Sequence, residues 1–196
     1  MASTRRKNLL IEDPARQAAL TSPVRLELLE HLGVIGPATV RDLAERMERT
    51  THALHYHVRQ LVEAGIVVQT GSRKSGPRDE AIYDVVAERI EVAIDKRRRT
   101  DERPQVKIAR AVFRRAERDY AALAAADPER LDADDVYAGR VRARMSARAR
   151  AEVMKHVRAI ERIFLAEMRK KHPPQTRLEI LTATMAVLPE LTKRDR

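Results

Sequence analysis

The stretch Thr50–Leu61, TTHALHYHVRQL, places three histidines, a tyrosine and an arginine within twelve residues. Metal ligation, catalysis and recognition of a polar surface compete as readings of such a set. Metal ligation needs side chains that converge. His52 and His55 stand three apart and share a helix face, but His57 points roughly 200° away from His55 on a helix. The chain has no cysteine to complete a site. Catalysis needs a nucleophile or an oxyanion-stabilising signature, and the stretch offers neither. A reading surface fits better. Threonine can touch a thymine methyl group, and histidine and arginine can donate to guanine N7 and O6. The residues expected to meet DNA here are Thr50, Thr51, His52, His55, Tyr56 and Arg59. His57 is expected to be partly buried and bonded to nearby backbone. No metal, cofactor or catalytic residue is expected.

The elements around the stretch must position it. Asp13-Pro14 opens a short helix, with Asp as cap and Pro in the first turn. Thr21-Ser22-Pro23 opens a second, VRLELLEHL, with Leu26, Leu29 and Leu32 on one face and Gly33 at its end. Thr39 caps a third, VRDLAERM, with Val40, Leu43 and Met47 inward. Thr50 or Thr51 caps a fourth, which stops at Ala64-Gly65. Within it Leu54, Val58 and Leu61 fall at i, i+4 and i+7 and form the buried stripe. The polar residues therefore face away from the core. Ile66–Thr70 and Ala81–Val86 read as strands joined by a turn-rich loop, GSRKSGPR, carrying Arg73, Lys74 and Arg78. These three cations are expected to reach the phosphate backbone or an adjacent minor groove.

Two helices joined by a tight turn and followed by a basic hairpin are the order of a winged helix-turn-helix. SPVRLELLEHL, TVRDLAERM, THALHYHVRQLVEAGIV and the hairpin resemble the winged-helix repressors of the arsenical-resistance-repressor (ArsR) superfamily, and its metal-independent members most. The resemblance covers residues 13–86. It implies a dimeric, sequence-specific transcriptional regulator, a repressor by analogy. The 50–64 helix would enter the major groove and the 66–86 hairpin would act as a wing. The alternative is a winged-helix module for protein or RNA partners without operator binding.

Composition narrows the class. The chain has 196 residues, 43% of them apolar, which suffices for a core. Aromatics make up 3% and Trp is absent, so a stacking platform for single strands is not expected. No apolar run approaches the roughly 18 residues of a membrane span. The N-terminus has only a three-residue apolar stretch and does not read as a secretory signal. A cytoplasmic, non-enzymatic protein without membrane contact is expected. Net charge is +10, which favours an acidic partner, nucleic acid before an anionic membrane; with the helix-turn-helix reading, double-stranded DNA is the partner expected. Yet residues 1–85 hold twelve Lys/Arg against eleven Asp/Glu, while residues 86–196 hold 27 against 18.

The expected organisation is a flexible arm at 1–12, a winged helix at 13–86, a charged connector at 87–103 and a C-terminal domain at 104–196. Arg5-Arg6-Lys7 would lie on the arm. The C-terminal domain reads as helical with a small sheet, so the fold class is α+β, mainly α with small β. Its first helix follows Pro104, with Ala109, Val112, Phe113, Ala116, Tyr120 and Leu123 as stripe. GRVRARMS alternates Arg140, Arg142 and Arg144 with Val141, Ala143 and Met145, a strand pattern with one cationic face. Ser146 caps a long helix with Val153, Val157, Ile160, Phe164 and Met168 as stripe. TRLEILTATMAVLPEL reads as a strand, with a helix as the alternative. This half is expected to supply a homodimer surface and a pocket for an unidentified small-molecule effector.

Overall fold

The computed structural model describes residues 5–75, 78–94, 103–132, 136–168, 170, 172–173 and 175–188. The side chains of Arg78 and Asp132 lie outside the described set. The chain divides into two compact units, Met1–Arg114 and Arg115–Arg196. In order, the first unit holds β1 (Arg6–Ile11), α1 (Pro14–Ala19), α2 (Pro23–Ile35), β2 (Ala38–Thr39), α3 (Val40–Arg46), α4 (Thr51–Glu63), β3 (Val67–Ser75), β4 (Arg78–Val85) and β5 (Ala87–Val92). Helix α5 (Pro104–Ala126) begins in it and ends in the second unit, which adds a 3-10 turn at Pro128–Asp132 and α6 (Ala147–Glu167). Mixed helix and strand is thus the class.

The core is built by the first unit alone. Leu28 and Leu32 of α2, Leu43 of α3, Leu54 and Leu61 of α4, Ile66 and Ile11 are fully buried. Burying one such side chain is worth about 1.5–3 kcal/mol. Helix α2 therefore turns Leu28 and Leu32 inward, whereas Leu26 and Leu29 are only half-buried against the cluster. Of the expected face Leu26, Leu29 and Leu32, only Leu32 is fully buried. The helix also runs past Gly33 and ends at Gly36, whose φ of +80° a side chain would resist.

The expected flexible arm is a strand instead. Arg6–Ile11 pairs parallel with Ala87–Val92, from Arg6 opposite Ala87 to Ile11 opposite Val92. The expected connector at 87–103 thereby becomes a strand over its first six residues; residues 95–102 lie outside the described set. Two polar side chains close this pairing. Gln17, 2% exposed, donates to the carbonyls of Ile11 (2.9 Å), Glu12 (3.2 Å) and Ala93 (3.1 Å). Arg5 meets the buried Asp84 at 2.6 Å and donates to the Leu32 carbonyl at 2.9 Å. Arg5 is therefore a tied structural residue and not part of a loose basic tail.

A second sheet has the order β2-β4-β3, antiparallel throughout. The hairpin strands are longer than the sequence suggested. Residues 71–75, read as loop, belong to β3, with a bulge between Gln69 and Gly71. Arg73 then lies opposite Glu80, and Lys74 opposite Asp79.

In the second unit no described residue is buried. Residues 136–146 and 177–188, expected as strands, form no helix or strand. The small C-terminal sheet is thus not found among the described residues. An alternating pattern marks which side chains share a face, but a strand also needs a neighbour for its backbone N–H and C=O groups. Among the described residues, no helix is long and apolar enough to cross a membrane.

Candidate nucleic-acid interface

Helix α4 is fixed at both ends and along one side. At its start the Thr50 hydroxyl accepts from the Ala53 N–H at 3.3 Å, so Thr50, not Thr51, is the cap. At its end Gly65 adopts φ +62°, Gly65 N–H donates to Val62 C=O and Ile66 N–H to Leu61 C=O. That is the paired hydrogen-bond stop that glycine permits. Arg16 of α1 adds a cation at the same end, donating to the Ala64 carbonyl at 2.7 Å. Along the inner side Leu54, Val58 and Leu61 are at most 2% exposed.

Helix α3 precedes it at a fixed angle. Thr39 and Asp42 cap each other's backbone in a reciprocal box, with bonds of 3.2 and 2.9 Å. The turn between α3 and α4 then passes through Glu48, whose φ is +51°.

What remains outward on α4 is Thr51, His52, His55, Tyr56 and Arg59, all exposed. An open groove of about 480 Å³ runs between this face and the hairpin. His52, His55, Tyr56 and Arg59 line it together with Val62, Gln69 and Tyr83. The last three were missed from the sequence. Val62 lies seven residues after His55 and shares its face; Gln69 and Tyr83 stand opposite each other across β3 and β4. Arg59 lies 5.8 Å from the centre of the Tyr56 ring and 3.8 Å from the Glu63 carboxylate. The ring and the carboxylate both favour the guanidinium on this side of the helix.

The hairpin cations differ from one another. Arg73 pairs with Asp42 at 2.9 Å and with Glu80 at 3.6 Å, and donates to Thr39 Oγ1 at 3.3 Å. Arg41 of α3 shares Glu80 at 2.9 Å. Burial works against the Asp42 carboxylate, but the Thr39 N–H and the Arg73 guanidinium outweigh it and hold its pKa below the ordinary value. Arg73 therefore braces β3 against the start of α3 as well as facing solvent. Lys74 is exposed and has no ion pair among the described residues. Arg78 sits on β4, its side chain outside the described set. Thr50, Thr51, Arg73 and Lys74 do not line the groove.

His57 is half-buried, but the expected backbone bond is absent: its Nδ1 is buried without a hydrogen-bond partner. Its ring meets Tyr56 edge-on, with centroids 5.4 Å apart. Burial, then the charges of Arg25 and Arg49, push its pKa below the ordinary value. Arg49 is itself partnered by Glu27 at 3.3 Å. Among the described residues, no group of three or more His, Cys, Asp or Glu is arranged to hold a metal ion.

A chemically mixed, solvent-open face on a rigidly seated helix can hydrogen-bond and make apolar contact with a surface laid across it. Among curated proteins no match to the chain was found. A family model described as a helix-turn-helix domain matches residues 20–70, from the end of α1 to the middle of β3, and supports a helix-turn-helix DNA-binding regulator.

Proposed function

We propose that the protein is a sequence-specific transcriptional regulator that acts as a homodimer on a pseudo-palindromic operator, by binding and not by catalysis. Helix α4 enters the major groove with His52, His55, Tyr56 and Arg59 toward base edges, and Thr50 and Thr51 near the backbone at its N-terminal end. The β3–β4 hairpin serves as the wing, with Lys74 and Arg78 toward phosphates. Arg73 reaches them only by sharing its charge with Asp42 and Glu80. The likeness to the ArsR-type winged helices makes repression, in the cytoplasm, the direction of choice.

The observation that carries this reading is the exposed α4 face on a helix whose opposite side is fully seated in the core. A duplex is the partner that fits it, since the B-DNA major groove admits one α-helix. Selection from random duplex DNA, followed by gel shifts at moderate salt, tests the proposal. An inverted repeat should be enriched, with half-sites one helical turn or a multiple apart. No enriched motif, with capture of only a protein or RNA partner, would overturn it.

A further inference from the structure

Most of the excess positive charge of this chain lies in its second half in sequence. Residues 1–85 carry a single excess cation, whereas residues 86–196 carry nine. Around α4 three arginines have carboxylates of their own: Arg59 has Glu63, Arg73 has Asp42 and Glu80, and Arg41 has Glu80. A helix presented with that balance draws little sequence-independent attraction from a polyanion. Phosphate contacts supply most of that attraction, and Lys74 and Arg78 of the hairpin leave room for further cations to add to it.

Residues 136–151 hold five arginines and no acidic residue. Arg140, Arg142, Arg144, Arg148 and Arg150 are all exposed. Arg140, Arg144, Arg148 and Arg150 make no ion pair among the described residues. Residues 136–146 form no helix or strand, so this run has no ladder to hold it straight and can follow a curved backbone. Ser146 then caps α6, its hydroxyl accepting from the Ala149 N–H at 3.2 Å. The first turn of α6 contains no acidic residue and carries Arg148, with Arg150 in the same turn. That end of a helix dipole is positive and disfavours cations. A bound anion is attracted both by the helix end and by the arginines, and offsets that repulsion. Guanidinium groups, planar and doubly donating, match phosphate oxygens in particular.

We propose that Arg140, Arg144, Arg148 and Arg150 form an arm that grips the phosphates of duplex DNA without reading bases. The proposal rests on the DNA-binding reading above and assigns the affinity, as distinct from the selectivity, to the second unit. Single strands are disfavoured as its partner because Tyr137 is the one aromatic residue in the run.

The test uses the full chain and compares R140Q/R144Q/R148Q/R150Q with the corresponding four-lysine variant. Fluorescence anisotropy would follow binding to the selected duplex and to a random duplex over a salt series. The glutamine variant should show a log K against log salt slope shallower by about 3.6 units for each bound protomer, about seven for the homodimer, on both duplexes. The ratio of the two affinities should stay within about twofold, and lysine should restore the slope, since phosphate contacts carry no sequence information. An unchanged slope overturns the proposal. So does a collapse of the affinity ratio at constant slope, or, with phosphatidylserine vesicles as a third binding partner in the same series, a loss confined to the vesicles. If the native chain enriches no motif but its random-duplex slope still depends on the four arginines, the operator reading falls and the arm stands. If the native chain binds no duplex at low salt, both fall.

Discussion

At the scale of single residues, two side chains of α4 have separable roles. Arg59 is outward, steadied by Tyr56 and Glu63, and aimed along the groove. Arg59→Ala should weaken selected-site binding about ten- to a hundredfold, the worth of one good base contact. Random-duplex binding should change far less, and gel shifts on both duplexes would show it. His57 faces Arg25, Arg49 and the Tyr56 ring, and its folded pKa lies below the ordinary value because of burial and then those charges. An unfolded histidine takes up its proton near pH 6.5. Between the folded value and 6.5 the unfolded chain binds more protons, so folding stability is lost as pH falls below about 6.5. Above that value His57 contributes no pH dependence. The drop in thermal midpoint between pH 7 and 5.5 should therefore be smaller in His57→Gln than in the native chain. Equal drops would show that another group sets the acid slope. The exposure of Thr51, His52, His55 and Arg59 was legible from helical period alone, because Leu54, Val58 and Leu61 fix which side is inward; Tyr56 falls at the border of that stripe and the fold turns it outward. The orphaned Nδ1 of His57 was not, because its neighbours Arg25 and Arg49 come from other parts of the chain.

At the scale of elements, the two ends of the helix-turn-helix show why some stops can be read and others cannot. Both Glu48 and Gly65 sit in the left-handed region, with φ of +51° and +62°. After α4 the residue is glycine and the stop is visible in the sequence. After α3 it is glutamate, and only the backbone bonds from Glu48 N–H to Glu45 C=O and Arg49 N–H to Ala44 C=O reveal it. A side chain there costs about 1–2 kcal/mol that glycine avoids, less the extra freedom glycine has when unfolded. Glu48→Gly should raise stability by about 0.5 kcal/mol, and Gly65→Ala should lower it by about 1 kcal/mol, in urea melts. The opposite signs are the check. Strand β1 carries the larger surprise. Arg5→Met would leave the Asp84 carboxylate buried with only the Val85 N–H, at 2.8 Å, donating to it. Removing one partner of such a pair costs about 3 kcal/mol. A dispensable arm would instead give a change within about 0.5 kcal/mol, so the urea midpoint separates the two.

At the scale of the whole molecule, the first unit has a core and the second buries no described residue. Its long helix α6 displays Val153, Val157, Ile160 and Phe164 at helical spacing, with Met168 at its C-cap, each half-buried or exposed. In the proposed homodimer this stripe meets its copy. Phe164→Asp should then give a monomer in sedimentation and weaken operator binding about a hundredfold, through loss of the second half-site. A dimer that survives the substitution would place the interface elsewhere. The sequence by itself determined the presence of the first unit's helices, the caps Asp13 and Thr39, the stop at Gly65 and the outward face of α4. Each of these is set by residues within one turn or one helical period, where neighbours in sequence are neighbours in space. Only the tertiary structure decided that the N-terminal arm is a strand. It brings Arg6–Ile11 against Ala87–Val92 and Arg5 onto Asp84, 79 residues away. It also decided that the alternating run at 139–146 and the β-branched run at 177–188 form no strand. Strand pairing and buried ion pairs depend on a partner distant along the chain, and a local pattern cannot name that partner.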